Sequence, residues 1–140
     1  DGRPCSCGGR GCLEAYASGT AVARIASERY GRSMDAKEVY ALARRGDPPA
    51  SVVVREAAEL LGYAVAAVYQ LFDPDIVVLG GSVTRDFDVF SDVLLASAEA
   101  YIQPIPGRKV RLAVSEFDGD QVALGAAWYA ADTRGLTKSE

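Results

Sequence analysis

The sequence contains no histidine, and its three cysteines are confined to one short segment, Cys5 to Cys12. Cysteines so close together cannot link distant parts of a fold, and an odd number cannot all form pairs. No apolar run reaches the 18 residues that a membrane span needs, and no signal-peptide pattern opens the chain. We therefore expect a cytoplasmic protein without membrane contact, in which the cysteines bind a metal.

Basic residues are neither abundant nor clustered. The formal net charge is −4, and the fifteen Lys and Arg residues are scattered along the chain. This distribution argues against nucleic-acid binding through this segment. An apolar fraction of 49% in 140 residues is typical of one globular domain. Because no strand or helix precedes the cysteines, we interpret the chain as part of a longer protein.

Apolar residues recur at helical spacing through residues 15–72. The pattern predicts an uninterrupted helix from Leu13 to Tyr30 and a short helix, 36–45, that Asp35 caps and whose inner face carries Val39, Leu42 and Ala43. A long helix follows Asp47 and ends before Asp73. Its second half, 64–68, is apolar on all sides, so we expect deep burial there.

Residues 73–132 alternate between strand and helix patterns, which is typical of an α/β domain. We predict a strand at 76–79 covered on both faces, a helix at 87–101, a more exposed strand at 110–115 and a helix at 121–132. A turn at Pro104, Pro106 and Gly107 separates the first of these helices from the second strand. The tail, 133–140, is expected to fray. Two strands are too few for a stable sheet, so further strands must come from elsewhere.

The segment from Cys5 to Cys12 contains three thiols among three glycines. Glycines allow the positive φ angles with which a loop wraps around an ion, and thiolates prefer zinc. A structural zinc site needs four ligands, so either a fourth comes from outside the chain or the site is incomplete. The alternative is three ordinary thiols in a flexible loop. A thiolate-rich ion acts as a structural crosslink rather than as a catalyst.

The run Cys5-x-Cys7-Gly8-x-x-Gly11-Cys12-x-Glu14, continued by residues 15–21, resembles the zinc signature of the ROK family of sugar kinases and sugar-responsive repressors. Residues 73–83 and 124–127 also resemble that family, in the same order. The resemblance implies the C-terminal portion of an actin-like, ribonuclease H-like ATPase fold, helix-rich with a partial sheet. In that interpretation residues 1–14 form the zinc loop, 15–72 a helical segment, 73–132 a βαβα segment and 133–140 the tail.

The resemblance also implies roles for individual residues. The zinc ligands are Cys5, Cys7 and Cys12, and the family's fourth ligand is a histidine shortly before them. Glu14 corresponds to a glutamate that accepts hydrogen bonds from sugar hydroxyls, although a carboxylate at a helix start is also favoured by the helix dipole. The nucleotide-binding residues are Gly80, Gly81, Ser82 and Gly125. For the first three the alternative is a plain strand-to-loop turn, and for Gly125 close helix packing.

The function that the resemblance implies is that of an ATP-dependent hexose kinase similar to glucokinase, with structural Zn²⁺ and with ATP and Mg²⁺. The family's catalytic aspartate and phosphate motif precede this segment, so we assign no catalytic residue here, and Asp73, Asp75 and Asp86 stand in contexts typical of helix ends and caps. The alternatives are a repressor whose DNA-reading helices lie upstream, or a folded remnant without activity. We also expect association, as a homo-oligomer, through uncovered apolar faces.

Overall fold

The computed structural model describes residues 2–102, 109–117 and 120–134 of the chain. These residues form the following elements in chain order: α1 (Glu14–Ala17), α2 (Gly19–Tyr30), α3 (Ala36–Arg44), α4 (Pro48–Phe72), β1 (Val77–Leu79), a 3₁₀ helix (Ser82–Asp86), α5 (Phe87–Tyr101), β2 (Leu112–Val114) and α6 (Gln121–Thr133). The predicted turn at Pro104, Pro106 and Gly107 and the tail beyond residue 134 lie outside the described residues.

The helix predicted from Leu13 to Tyr30 is interrupted at Ser18, so the prediction of one uninterrupted helix was wrong. Ser18 is extended, with ψ of 157°, and its side chain accepts a hydrogen bond from the backbone N–H of Ala21 at 3.1 Å. Serine at this position satisfies an N–H that would otherwise have no partner at the start of α2. The apolar stripe continues across the break, which is why the periodicity alone did not show it.

The predicted starts of α3 and α4 are confirmed. Asp35 accepts from the N–H of Glu38 at 2.7 Å, and Asp47 accepts from the N–H of Ala50 at 3.1 Å. On α3 the fully buried positions are Val39 and Tyr40, whereas Leu42 and Ala43 are only partly buried. The capping residues therefore predicted where both helices start, whereas the apolar pattern predicted the buried face of α3 less accurately.

Helix α4 is the centre of the core, and α1, α2, α3 and α5 all pack against it. Its buried face includes Val53, Val54, Val65 and Tyr69. The prediction that the whole 64–68 segment is deeply buried was wrong, because Val68 is 37% exposed and only one face of this half contacts the core. At the end of the helix Phe72 is 75% exposed.

Strands β1 and β2 form a parallel pair, with Val77 opposite Leu112 and Leu79 opposite Val114. Tyr69 attaches this pair to α4, because its hydroxyl donates to the carbonyl of Arg111 and accepts from the N–H of Arg111, both at 2.8 Å. The prediction that the first strand is covered on both faces was wrong, since Val78 is 59% exposed. All three residues of β2 are half-buried, so β2 is not the more exposed strand.

The predicted helices at 87–101 and 121–132 are confirmed as α5 and α6, with α6 one residue longer. The two helices differ in burial. Phe90, Leu94 and Ala98 of α5 are buried, whereas the described side chains of α6 from Val122 to Ala130 are all exposed. Among the described residues, none of the helices has the length and the apolar character that crossing a bilayer requires.

Replacing Gly62 by alanine tests the close packing of α4 and α5. A Cβ at Gly62 would lie 2.5 Å from the Cβ of Ser97 and 2.6 Å from the carbonyl oxygen of Leu94. We expect Gly62→Ala to lower the free energy of unfolding by about 2 kcal/mol, because the two helices must separate to admit the methyl group. Urea unfolding followed by circular dichroism measures this change.

The matched control is Gly125→Ala on α6, where a Cβ would meet nothing within 4 Å. That variant should be neutral or more stable, since alanine favours a helix by up to about 1 kcal/mol over glycine. Equal stability of Gly62→Ala and the wild type would show that α4 and α5 do not approach so closely.

Candidate metal centre and adjoining clefts

The three cysteine sulfurs lie together at the end of a tight loop. All three Sγ atoms are within 4.8 Å of one another, and those of Cys7 and Cys12 are 3.6 Å apart. Zinc bonded tetrahedrally to sulfur at about 2.3 Å separates two sulfurs by about 3.8 Å. The cluster therefore has the ligand type and the spacing that zinc requires. Among the described residues it has three members, so it could supply three of the four ligands of a structural zinc site.

Backbone hydrogen bonds hold the metal loop, defined here as residues 3–12, in this shape. The N–H of Cys5 donates to the carbonyl of Gly9 at 2.9 Å, and the N–H of Gly11 donates to the carbonyl of Arg3 at 2.9 Å. Gly8 and Gly11 have φ of 85° and 74°, a region that residues with a side chain rarely adopt. The glycines of the motif are thus needed for the turns that bring the cysteines together.

The crowding of the sulfurs changes their acidity in opposite directions. Hydrogen bonding to the backbone N–H of Cys7 lowers the pKa of Cys5. Hydrogen bonds to Cys7 and Cys5, together with repulsion between the sulfurs, raise the pKa of Cys12 to about 11. Three thiolates at this spacing repel one another, and a bound dication would neutralise that repulsion.

Tyr16 ties the first limb of the metal loop to α1. Its hydroxyl accepts a hydrogen bond from the N–H of Arg3 at 2.8 Å, and the Arg3 guanidinium lies 5.6 Å from the centre of its ring. The second limb continues directly into α1, where the N–H of Ala15 donates to the carbonyl of Cys12 at 2.9 Å. Both limbs of the loop are therefore fixed to the helix that carries Glu14.

Glu14 is the first residue of α1, and its exposed carboxylate makes no hydrogen bond or ion pair with any described residue. It faces a cleft of about 330 Å³ beside the metal loop, called the loop cleft, which is lined by residues including Cys5, Ser6, Glu14, Ser18 and Arg24. Arg24 is already engaged, because it donates to Glu28 at 2.8 Å and to the carbonyl of Ala15 at 3.2 Å. Glu14 is thus an accessible acceptor in a concave site.

Gly80, Gly81 and Ser82 follow the carboxyl end of β1, as predicted, and lead into the 3₁₀ helix. Gly81 has φ of 106°, which a residue with a side chain rarely adopts. Ser82 lines a second cleft of about 420 Å³, called the α3 cleft, together with Gly19, Lys37, Tyr40, Val83 and Arg85. Gly125 lies on exposed α6, where a methyl group would meet nothing within 4 Å, so close packing against another described residue does not explain this glycine.

The turn at Ser18 separates the two clefts. Gly19 lines the α3 cleft, whereas Ser18 and Thr20 line the loop cleft. The structure thus brings Glu14 beside the cysteines and places Ser82 across the turn from them. The sequence patterns did not place Lys37 and Tyr40 beside Ser82 in one cleft, because both lie more than 40 residues before it in the chain and no local pattern links them to it.

Comparisons with known proteins identify relatives of this arrangement. The sequence profile of the ROK family matches residues 1–133. A glucokinase of Thermotoga maritima is 33% identical, in an alignment that covers 91% of this chain and 44% of that enzyme. A ROK family glucokinase from Streptomyces griseus, solved in complex with glucose and AMPPNP, has a TM-score of 0.80 at 28% identity, covering 92% of this chain and 47% of that chain.

A solved ROK family transcriptional regulator, a homologue of the E. coli MLC protein, is also similar. Its TM-score is 0.73 at 26% identity, and the match covers 84% of this chain and 32% of the regulator. The chain therefore spans less than half the length of these relatives. Their likeness confirms the predicted fold class, an α/β part of an actin-like ATPase fold that is rich in helix and has a small parallel sheet.

Replacing Cys7 by serine tests the metal loop. We expect the purified chain to hold about one zinc, and Cys7→Ser to hold much less, because a serine hydroxyl is a poor zinc ligand. Metal analysis after dialysis measures the zinc content. Ser6→Ala is the control, since it changes the neighbouring residue and keeps all three sulfurs. Equal zinc content in the wild type and Cys7→Ser would refute the assignment.

Proposed function

The chain belongs to the ROK family, and from that premise we propose that it supplies the zinc loop, a hexose contact and part of the nucleotide cleft of an ATP-dependent sugar kinase. One observation carries the proposal. The carboxylate of Glu14, which pairs with none of the described residues, lies on one side of the Ser18 turn, and the cleft that contains Ser82 lies on the other. Phosphoryl transfer depends mainly on holding two substrates in position, and two neighbouring clefts provide for that.

Glu14 is the residue that contacts the hexose in this proposal. An ionised carboxylate has two acceptor oxygens, so it can take hydrogen bonds from two neighbouring sugar hydroxyls at once. No described residue competes for those oxygens, and the loop cleft gives a sugar room beside them. The position at the start of α1 also favours the negative charge.

The three cysteines hold zinc in a structural role. Zinc supplies a rigid crosslink within the loop when it is bound, because three thiolates neutralise the charge that would otherwise activate water. The fourth ligand comes from outside the described residues. Cys12 is only two residues from Glu14, so the metal loop sets where that carboxylate lies.

ATP, with Mg²⁺, occupies the cleft at the carboxyl end of β1, which is where open α/β sheets bind ligands. Gly80 and Gly81 let the nucleotide approach the backbone, Ser82 offers a hydroxyl, and Gly125 is a further nucleotide residue in this proposal. We assign no catalytic base to the described residues. Asp86 pairs with Arg44 at 3.2 Å, and Asp73 ends α4 in a left-handed conformation.

The substrate most consistent with the relatives is glucose, since a similar protein is a glucokinase and a similar structure contains glucose and AMPPNP. A second candidate function is the sugar-binding module of a transcriptional repressor, which the similarity to a ROK family regulator favours. Finding a helix-turn-helix rather than a phosphate motif in the longer protein would select the repressor.

Enzyme assays on a longer protein that contains this chain test the proposal. We expect ATP-dependent phosphorylation of glucose, and we expect Glu14→Gln to raise the KM for glucose at least tenfold, because hydrogen bonds to a charged acceptor are worth about 1.5–3 kcal/mol each. The KM for ATP should change little. A coupled assay that follows ADP release measures both constants.

The control for this variant is Glu99→Gln, which neutralises an exposed carboxylate on α5 and should leave the KM for glucose unchanged. No turnover with any hexose or amino-hexose would exclude the kinase. Turnover with an unchanged KM for glucose in Glu14→Gln would remove Glu14 from the hexose site.

A further inference from the structure

The sulfurs of Cys7 and Cys12 are in van der Waals contact. Their Sγ atoms are 3.6 Å apart, whereas a disulfide joins two sulfurs at about 2.05 Å. A shift of about 1.5 Å would therefore bring them to bonding distance. Both sulfurs lie beside Gly9, since a Cβ on that residue would be 3.4 Å from the Sγ of Cys7 and 3.7 Å from that of Cys12. The two thiols are thus adjacent in space, although both are free cysteines.

The chain between these two sulfurs can accommodate such a shift. It is the segment 8–11, in which all residues except one are glycines, and glycine has wider access to backbone conformations than any other residue. Cys5 is held more firmly, because its N–H donates to the carbonyl of Gly9 at 2.9 Å and its carbonyl accepts from the N–H of Gly8 at 3.0 Å. The loop therefore favours a bond between the other two cysteines.

The pair is accessible to a small oxidant. Cys7 is exposed and Cys12 is half-buried, so hydrogen peroxide can reach the first sulfur from solvent while the second stays beside it. Exposed thiols with a second thiol within reach are those that oxidation converts to disulfides. A thiol without such a neighbour is oxidised further, to acids that reducing thiols do not restore.

A disulfide and a zinc ion exclude each other at this loop. Zinc bonded to sulfur at about 2.3 Å holds two sulfurs about 3.8 Å apart, and it binds them as thiolates. The two sulfurs of a disulfide are much closer together and no longer carry that charge. With Cys7 and Cys12 joined, only Cys5 of the cluster stays available to a metal.

We propose that Cys7 and Cys12 form a redox switch, in which hydrogen peroxide joins them in a disulfide, a thiol reductant restores them, and only the reduced loop holds zinc. The Cys7 sulfur first takes one oxygen from the peroxide, which gives a sulfenic acid and one water. The Cys12 sulfur then displaces that oxygen as a second water. Two thiols and one peroxide thus yield one disulfide and two waters, and two electrons pass from sulfur to oxygen.

This inference rests on the zinc loop of the proposed function and adds a modification site to it. Cys12 is two residues before Glu14, so the reaction acts on the loop that sets where the Glu14 carboxylate lies. Under the proposed function, oxidation of the loop would therefore change the affinity for the hexose.

Peptide mapping of the metal-free chain after treatment with hydrogen peroxide tests the pairing. Free thiols are alkylated before trypsin cleaves the chain after Arg10. Cys5 and Cys7 are then on one peptide, and Cys12 is on the next. We expect the two peptides to be linked, with the alkyl group on Cys5 and with one free thiol per chain. Dithiothreitol should separate the peptides and restore the other two thiols.

Two variants that each lack one sulfur serve as a matched pair. Cys5→Ser should still link the two peptides, at the rate of the wild type. Cys7→Ser should link them about tenfold more slowly, because it lacks the exposed sulfur that contacts Cys12. On a non-reducing gel the oxidised wild type should run as a single chain, since the link is within one molecule.

Zinc content measures the second half of the switch. The oxidised chain should hold less than about a tenth of the zinc that the reduced chain holds, because two sulfur ligands are lost. Dithiothreitol followed by added zinc should restore the content of the reduced chain.

The inference is overturned if all three thiols stay free after peroxide treatment, if the alkyl group is on Cys7 rather than on Cys5, if the link joins two chains, or if the oxidised and reduced chains hold equal zinc. A reduced chain without zinc would refute the zinc loop and with it the second half of the switch. Because the mapping is done without metal, failure of the pairing and failure of the zinc loop are distinguishable.

Discussion

The packing of α5 against α4 is the constraint on which both walls of the α3 cleft depend. Helix α3 rests on α4, and the 3₁₀ helix that carries Ser82 leads directly into α5. Arg44 links the two walls, since it donates to Asp86 at 3.2 Å and to Asp88 at 2.8 Å. Exposed ion pairs contribute about 0–1 kcal/mol, so these two pairs only adjust the walls, while the close approach of α5 to α4 at Gly62 fixes the distance between those two helices.

Local chemistry explains which parts of the fold were predictable from the sequence. Asp35 and Asp47 allowed two helix starts to be predicted, because an N-cap side chain accepts a hydrogen bond from a backbone N–H only three residues later. The cysteine cluster was recognisable for the same reason, since its ligands and glycines are adjacent in the chain. Ser18 carried a similar signal, a capping residue followed by glycine, but the apolar stripe running through it favoured one continuous helix. In the structure Ser18 caps α2 and breaks the helix, although the apolar periodicity continues across it.

Contacts between distant residues explain what the sequence did not predict. Burial of Val68 and coverage of Val78 were expected from local apolar character, yet 37% and 59% of these side chains are exposed. Exposed apolar residues are concentrated at the end of α4, in β1 and on α6, where Phe72 and Trp128 are 75% and 62% exposed. Apolar character shows that a residue favours burial, but it does not show which surface provides it. The relatives are more than twice as long, and association through these faces stays a prediction.

The metal loop and Glu14 form one mechanical unit. Leu13, the single residue between Cys12 and Glu14, has helical φ and ψ of −50° and −40°, so α1 effectively begins at the last cysteine of the loop. Tyr16 holds the other limb of the loop against the same helix. An ion that draws the three sulfurs together therefore fixes the direction of α1 at the residue whose carboxylate has no partner within the described chain. Since none of the side chains in the described ranges holds that carboxylate, its placement depends on the backbone, and the backbone there depends on the loop. Under the proposed function, a zinc ion at these cysteines would influence sugar affinity through the position of Glu14 alone, without touching the sugar.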